Sequence, residues 1–140
     1  MRRWLAFALF VFALNFGWEM TQGKLFASMQ GLPFWHATLR CFRATLGDLV
    51  ITVVAFAVAG AVVREVAWPV GRRVVIATAV FISVGLAVTI AYEVVALSKG
   101  EWTYDPRMPT FLGLGVLPLL QWLVLPFAEV VLFRLIWRQR

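Results

Sequence analysis

At 140 residues, 62% hydrophobic and 14% charged, with a mean hydropathy of +0.86, the chain is too apolar for a water-soluble domain, in which about half the residues are apolar. Its formal charge of +6 sits at the ends of apolar runs rather than in a basic patch, which excludes a nucleic-acid partner and marks membrane-flanking charge. The length suits about four spans of ~20 residues in one transmembrane domain, and Cys41, alone in the chain, forms no internal disulfide.

The first apolar run follows two arginines, as in a signal peptide. No small-x-small cleavage site follows it, and the run continues through Trp18 to Glu19, so an uncleaved first span is expected over about Trp4 to Gln22. Ala13 and Gly17 give this span a small-xxx-small face for close helix approach. In the connection from Gly23 to Ala44, Trp35, Leu39, Phe42 and Leu46 fall on one side of a helix and His36, Arg40 and Arg43 on another, directly after Pro33. The pattern predicts an amphipathic helix at the membrane interface, leading into span two.

Span two is expected over about Thr45 to Arg64, with Asp48 one turn inside the boundary and Ala55, Ala57, Ala59, Gly60 and Ala61 as contact residues. A short turn with Pro69 and Gly71 leads to span three, about Val74 to Glu93, where Ala79, Ser83, Ala87 and Ala91 form a stripe that predicts a packed seam. The next connection gathers Lys99, Glu101, Trp102, Tyr104, Asp105 and Arg107. Span four, about Phe111 to Phe133, carries Gln121, Glu129, Pro118 and Pro126; a proline inside a helix removes a hydrogen bond and kinks it.

If the spans alternate, Arg2, Arg3, Arg64, Arg72, Arg73, Arg134, Arg138 and Arg140 share one side, and Lys24, Arg40, Arg43, Lys99 and Arg107 the other. The larger group is expected in the cytoplasm, with both termini. The short N-terminal Arg2-Arg3 start, without a targeting extension, fits a bacterial inner membrane. The expected fold is all-α: an antiparallel four-helix transmembrane bundle with an interfacial helix between spans one and two.

At 1.5 Å per residue, Glu19, Asp48 and Glu93 fall within about a turn of one another in depth, near the outer ends of three spans. An ionisable group inside the hydrocarbon costs roughly 2.5 to 3.5 kcal/mol, so the three are expected to face the bundle and form a pocket. They are the candidate acid/base residues; His36, Arg40, Arg43, Trp102, Tyr104, Asp105 and Arg107, from the two outer connections, are the candidate ligand-binding residues. The plainer alternative is that Arg40, Arg43 or Arg107 simply pair with the carboxylates. One histidine with two or three carboxylates suits a divalent cation, but no His-x-x-x-His or Glu-x-x-His spacing occurs and a single histidine excludes bis-histidine haem. Neither metal nor cofactor is expected. Cys41 and His36, five apart on one helix, do not point together as nucleophile and base. Gln121 reads as an interhelical hydrogen-bonder at a carbonyl freed by Pro118 or Pro126, and Glu129 as a partner of Arg64 or Arg72 at the cytoplasmic edge.

The order Asn15, Trp18-Glu19, His36, Gly47-Asp48, Glu93, Trp102 with Tyr104, Met108-Pro109, and Gly115 with Pro118-Leu119-Leu120-Gln121-Trp122 resembles a group of uncharacterised small four-span bacterial inner-membrane proteins. The resemblance covers most of the chain and implies the four-span architecture; it implies no activity. A first-span glutamate in a small chain is also similar to the small multidrug resistance exporters, which are shorter and hold their glutamate nearer mid-membrane.

Three functions follow from the residues. The pocket binds a lipid- or isoprenoid-like amphiphile entering from the bilayer, with Glu19 or Asp48 acting on it by acid/base chemistry. Alternatively the protein is a small, dimeric proton-coupled transporter, or an accessory or assembly subunit whose small-residue stripes bind partner helices. Its expected partners are therefore membrane lipids and a second copy of the chain or another membrane protein. The apolar cytoplasmic half counts against a transport path, and three buried acids against a purely accessory role.

Overall fold

The computed structural model describes residues 2–138, and the side chains of residues 3–137. Arg140, with the side chains of Arg2 and Arg138, lies outside the described residues, so their cytoplasmic assignment stays an expectation. Four long helices are present among the described residues: α1 (Arg2–Gln22), α2 (Phe34–Val63), α3 (Val74–Lys99) and α4 (Val116–Arg138). All four are long and apolar enough to cross a membrane, which makes this a multi-pass membrane protein. Helix α1 packs against α2 and α4, and α3 against the same two.

The helix boundaries differ from expectation in three places. The amphipathic segment and span two form one unbroken helix of 30 residues; nothing between Arg43 and Thr45 interrupts backbone hydrogen bonding, because the stretch has no proline and its glycine lies later, at Gly47. Helix α3 runs six residues beyond Glu93, to Lys99, and closes where Glu101 N–H donates to Ala96 O (2.9 Å) and Gly100 N–H to Leu97 O (3.1 Å). Glu93 is thus held inside a helix rather than at its end.

Helix α4 starts at Val116, not Phe111. The preceding residues form a small hairpin, β1 (Thr110–Phe111) and β2 (Leu114–Gly115), around a two-residue turn with Leu112 at φ 51° and Gly113 at φ 81°. Positive φ at both central residues defines the turn whose twist fits a tight hairpin. Pro118 therefore sits in the first turn of α4, where no hydrogen bond is lost, and Pro126 is the proline inside that helix.

The faces also differ from expectation. Ala79, Ser83, Ala87 and Ala91 lie on the exposed face of α3, while Ala77, Phe81, Gly85, Glu93 and Ala96 are buried. Ala13 and Gly17 are likewise exposed on α1. Packing selects the other stripe because Trp122 of α4 lies over Gly85, where a Cβ would overlap its indole ring. On α2, Ala55 and Ala59 do reach the interior as expected, whereas Ala57 and Ala61 face outward.

The apolar core lies toward the α2–α3 connection. Trp68, fully buried, donates Nε1–H to Phe56 O (3.2 Å) and packs with Phe56 and Phe81 against Ala55, Ala59 and Ala77. Phe133 and Trp137 stack nearby with centroids 4.1 Å apart, and Phe56 touches Phe133. Glu19, Gln22, Asp48, Glu93 and Gln121 gather at the opposite end.

Candidate functional site

At that end a cavity of about 740 Å³ opens among all four helices. Its polar floor and the buried polar residues beneath it arise from three helical stripes. Asn15, Glu19 and Gln22 recur at i, i+4 and i+7 on α1; Cys41, Thr45, Asp48 and Thr52 follow the same rhythm on α2; Thr89 and Glu93 stand four apart on α3. Each stripe turns toward the bundle because a polar group facing lipid would be left without partners.

Glu19, Asp48 and Glu93 all line this one cavity. Gln22 Nε2 donates to Glu19 Oε1 (2.5 Å), Gln121 Nε2 to Asp48 Oδ2 (2.9 Å), and the Tyr104 hydroxyl to Glu93 Oε2. None of these carboxyls is paired with an arginine: among the described residues the one ion pair is Arg107 with Asp105. The simple salt-bridge alternative therefore does not describe this site.

Gln121 joins the helices. Its Nε2 donates to Asn15 Oδ1 (3.1 Å) as well as to Asp48, and its Oε1 accepts from Gln22 Nε2 (3.2 Å). It thus bonds three side chains on two other helices, not a carbonyl freed by proline. Asn15 Nδ2 then donates to Glu129 Oε1 (3.2 Å). Glu129 is 2% exposed, and its Oε2 is buried without a partner. The expected pairing with Arg64 or Arg72 does not form, because the face of α4 that carries Gln121 turns Glu129 inward two turns further on.

The two outer connections roof the cavity. Ala27 N–H donates to Thr103 O (2.8 Å) and Asp105 N–H to Leu25 O (2.9 Å), so Phe26 and Tyr104 pair as an isolated antiparallel bridge. This fixes Trp102 over the cavity, with its ring centroid 5.5 Å from Tyr92 and 6.1 Å from Phe26. Burial, reinforced by the hydrogen bond to Glu93, holds the Tyr104 hydroxyl protonated well above the ordinary tyrosine range.

The ligand-binding candidates divide accordingly. Arg40, Arg43 and Trp102 line the cavity, and Tyr104 stands behind Glu93. Arg107 lines a smaller neighbouring pocket and forks onto Asp105 (Nε–Oδ1 2.7 Å, Nη2–Oδ2 3.2 Å), holding that carboxyl below the usual carboxylate range. His36 is exposed on the first turn of α2 and lines neither pocket. Arg40 Nη1 donates to Ser28 O (2.9 Å), tying α2 to the roof.

Gln22, Thr89, Tyr92 and Trp122 also line the cavity without having been singled out. Only Gln22 and Thr89 carried a signal, their spacing from Glu19 and Glu93. No group of three or more His, Cys, Asp or Glu residues placed to hold a metal occurs among the described residues. Comparison with protein families, curated proteins and solved structures returns no match to the chain.

Proposed function

We propose that this protein binds a lipid- or isoprenoid-like amphiphile in the cavity, with Glu19 and Asp48 placed to exchange a proton with it. The observation that carries the reading is the lining between α2 and α3. Val50 and Val88 line the cavity yet are 64% and 39% exposed, so an apolar rim on the bilayer side joins an interior floor of carboxyls and amides. A headgroup rests near Arg43 and Arg40, and Trp102 and Trp122 cover the apolar part.

In this reading the four helices alternate in direction as an antiparallel bundle in a bacterial inner membrane. The cavity faces outward and the Trp68 end faces the cytoplasm. Arg3, Arg64, Arg72, Arg73 and Arg134 fall in or beside the segments at the Trp68 end, which supports that orientation. Helix α2, about 45 Å long at 1.5 Å per residue, exceeds a ~30 Å hydrocarbon core. Its first turns, with Trp35, Leu39 and Phe42 exposed on one side, then lie in the headgroup region.

Native mass spectrometry of the gently extracted protein tests the reading. Wild type is expected to carry an amphiphile that is lost in Glu19→Gln and Asp48→Asn; a bare wild-type protein would end it. A second reading, proton-coupled transport, is favoured by the buried hydrogen-bonded series from Asp48 through Gln121 and Asn15 to Glu129, which reaches deeper than the cavity floor. A protein that carries no amphiphile but dissipates an imposed proton gradient in vesicles would support it.

A further inference from the structure

We infer that the tip of the β1–β2 hairpin, Phe111 and Leu112, docks into the boundary between headgroups and acyl chains of the bilayer, in the leaflet at the cavity end. This contact is separate from the binding of an amphiphile and concerns how the roof of the cavity meets the membrane. Leu112 has φ 51°, a left-handed backbone in which its Cβ crowds the chain. The first central position of such a turn favours Asn, Asp or Gly, so turn geometry gives no reason for a leucine there. Nor does packing: Leu112 is 88% exposed and Phe111 beside it 63%. Two adjacent large apolar side chains on a loop tip mark a surface that something apolar covers.

The base of the hairpin is fixed while its tip stands clear. Val116 N–H donates to Pro109 O (2.8 Å), Met108 is buried, and a Cβ on Gly115 would press on the Tyr104 ring. At Gly113 a Cβ would meet nothing within 4 Å. The tip is thus held away from the bundle by a base packed under the roof.

Charge and depth identify the bilayer as the cover. No charged residue lies between Arg107 and Glu129, so the hairpin shares the uncharged character of span four. The α1–α2 connection, by contrast, carries Lys24, and the α2–α3 connection Arg64, Arg72 and Arg73. Val116, the first residue of α4, and Arg134 are about 27 Å apart at 1.5 Å per residue, less than the ~30 Å hydrocarbon core. With Arg134 at one boundary, Val116 lies just inside the other. The hairpin reaches about 7 Å from there at ~3.4 Å per strand residue, which keeps its tip in the boundary layer whichever way it tilts. Deeper insertion is opposed by the backbone groups of Leu112 and Gly113, which need water or headgroup partners.

The test uses wild-type protein in phosphatidylcholine vesicles in which part of the lipid carries a photoactivatable diazirine near the carbonyl end of one acyl chain, with adducts mapped by peptide mass spectrometry after irradiation. Lipid adducts are expected on Phe111 or Leu112 as well as on Val124 and Phe127, exposed on α4, which serve as the internal standard. Adducts on α4 with none at the tip overturn the inference, whether water or a second copy of the chain covers the tip. A second measurement follows alkylation by a membrane-impermeant maleimide in the same vesicles, over the wild-type background from Cys41. Leu112→Cys is expected to react about tenfold or more slowly than Glu101→Cys, on the exposed part of the same connection, because an apolar surrounding suppresses the thiolate and excludes the reagent. Equal rates would put the tip in water and overturn the docking.

Discussion

Tyr104 joins an outer loop to the cavity floor through one hydrogen bond to Glu93, and that bond has a pH signature. An acid whose proton is held more tightly in the folded state contributes stability that is complete below its unfolded pKa, about 10 for tyrosine, and is lost as the pH rises through the higher folded value. Burial comes first among the causes and the Glu93 contact second. Raising the pH from about 9 to about 12 is therefore expected to lower the unfolding temperature of wild type more than that of Tyr104→Phe, followed by circular dichroism in detergent. Equal losses in the two would show that Tyr104 ionises as freely in the folded protein as in the unfolded chain. Gln121 works at the same scale. Its single amide satisfies Asn15, Asp48 and Gln22 at once, and no residue count in the sequence reveals that one side chain serves three partners.

At the level of elements, the close approach of α3 and α4 at Gly85 decides which stripe of α3 is inside. A Cβ there would overlap the Trp122 indole, whereas at Gly17 on α1 it would meet nothing. Overpacking of this kind costs about 1–3 kcal/mol, so Gly85→Ala is expected to lower the unfolding temperature and Gly17→Ala to leave it nearly unchanged. Because Trp122 also lines the cavity, the Gly85 variant is expected to shift tryptophan emission too. Thermal melts of the two variants that coincide would remove this contact as the determinant of the seam. The Leu112–Gly113 turn acts similarly on α4: by occupying Thr110 to Gly115 as a hairpin, it moves Pro118 into the first turn and leaves Gln121 and Trp122 one turn deeper, level with the carboxyls.

Across the whole molecule, the two ends have opposite character. Trp68, Phe56, Phe81 and Phe133 fill one end, and the carboxyl–amide cavity with its tied loops fills the other. The aromatic end packs the helices together, and the polar end encloses the cavity. The proposed orientation puts the aromatic end in the cytoplasm. A reporter fused after Arg140 is accordingly expected to be active only when it is a type that functions in the cytoplasm; activity of a periplasm-dependent reporter would invert the sidedness of every residue in the cavity.

Hydropathy and charge are local properties of a sequence, and they were enough to place four spans, to set Glu19, Asp48 and Glu93 at one depth, and to bring Arg40, Arg43 and Trp102 to the same end. The rotation of each helix was not legible in the same way. In water a buried face is marked by its apolarity, but in lipid both faces are apolar and packing distinguishes them. Ala79, Ser83, Ala87 and Ala91 therefore looked like a seam and lie outside, while Ala77, Phe81 and Gly85 lie within. The partners of the polar groups were hidden for a related reason. Whether Glu129 meets Arg64 or Asn15, and whether the carboxyls meet arginines or amides, depends on helix rotations that only contacts among all four helices decide.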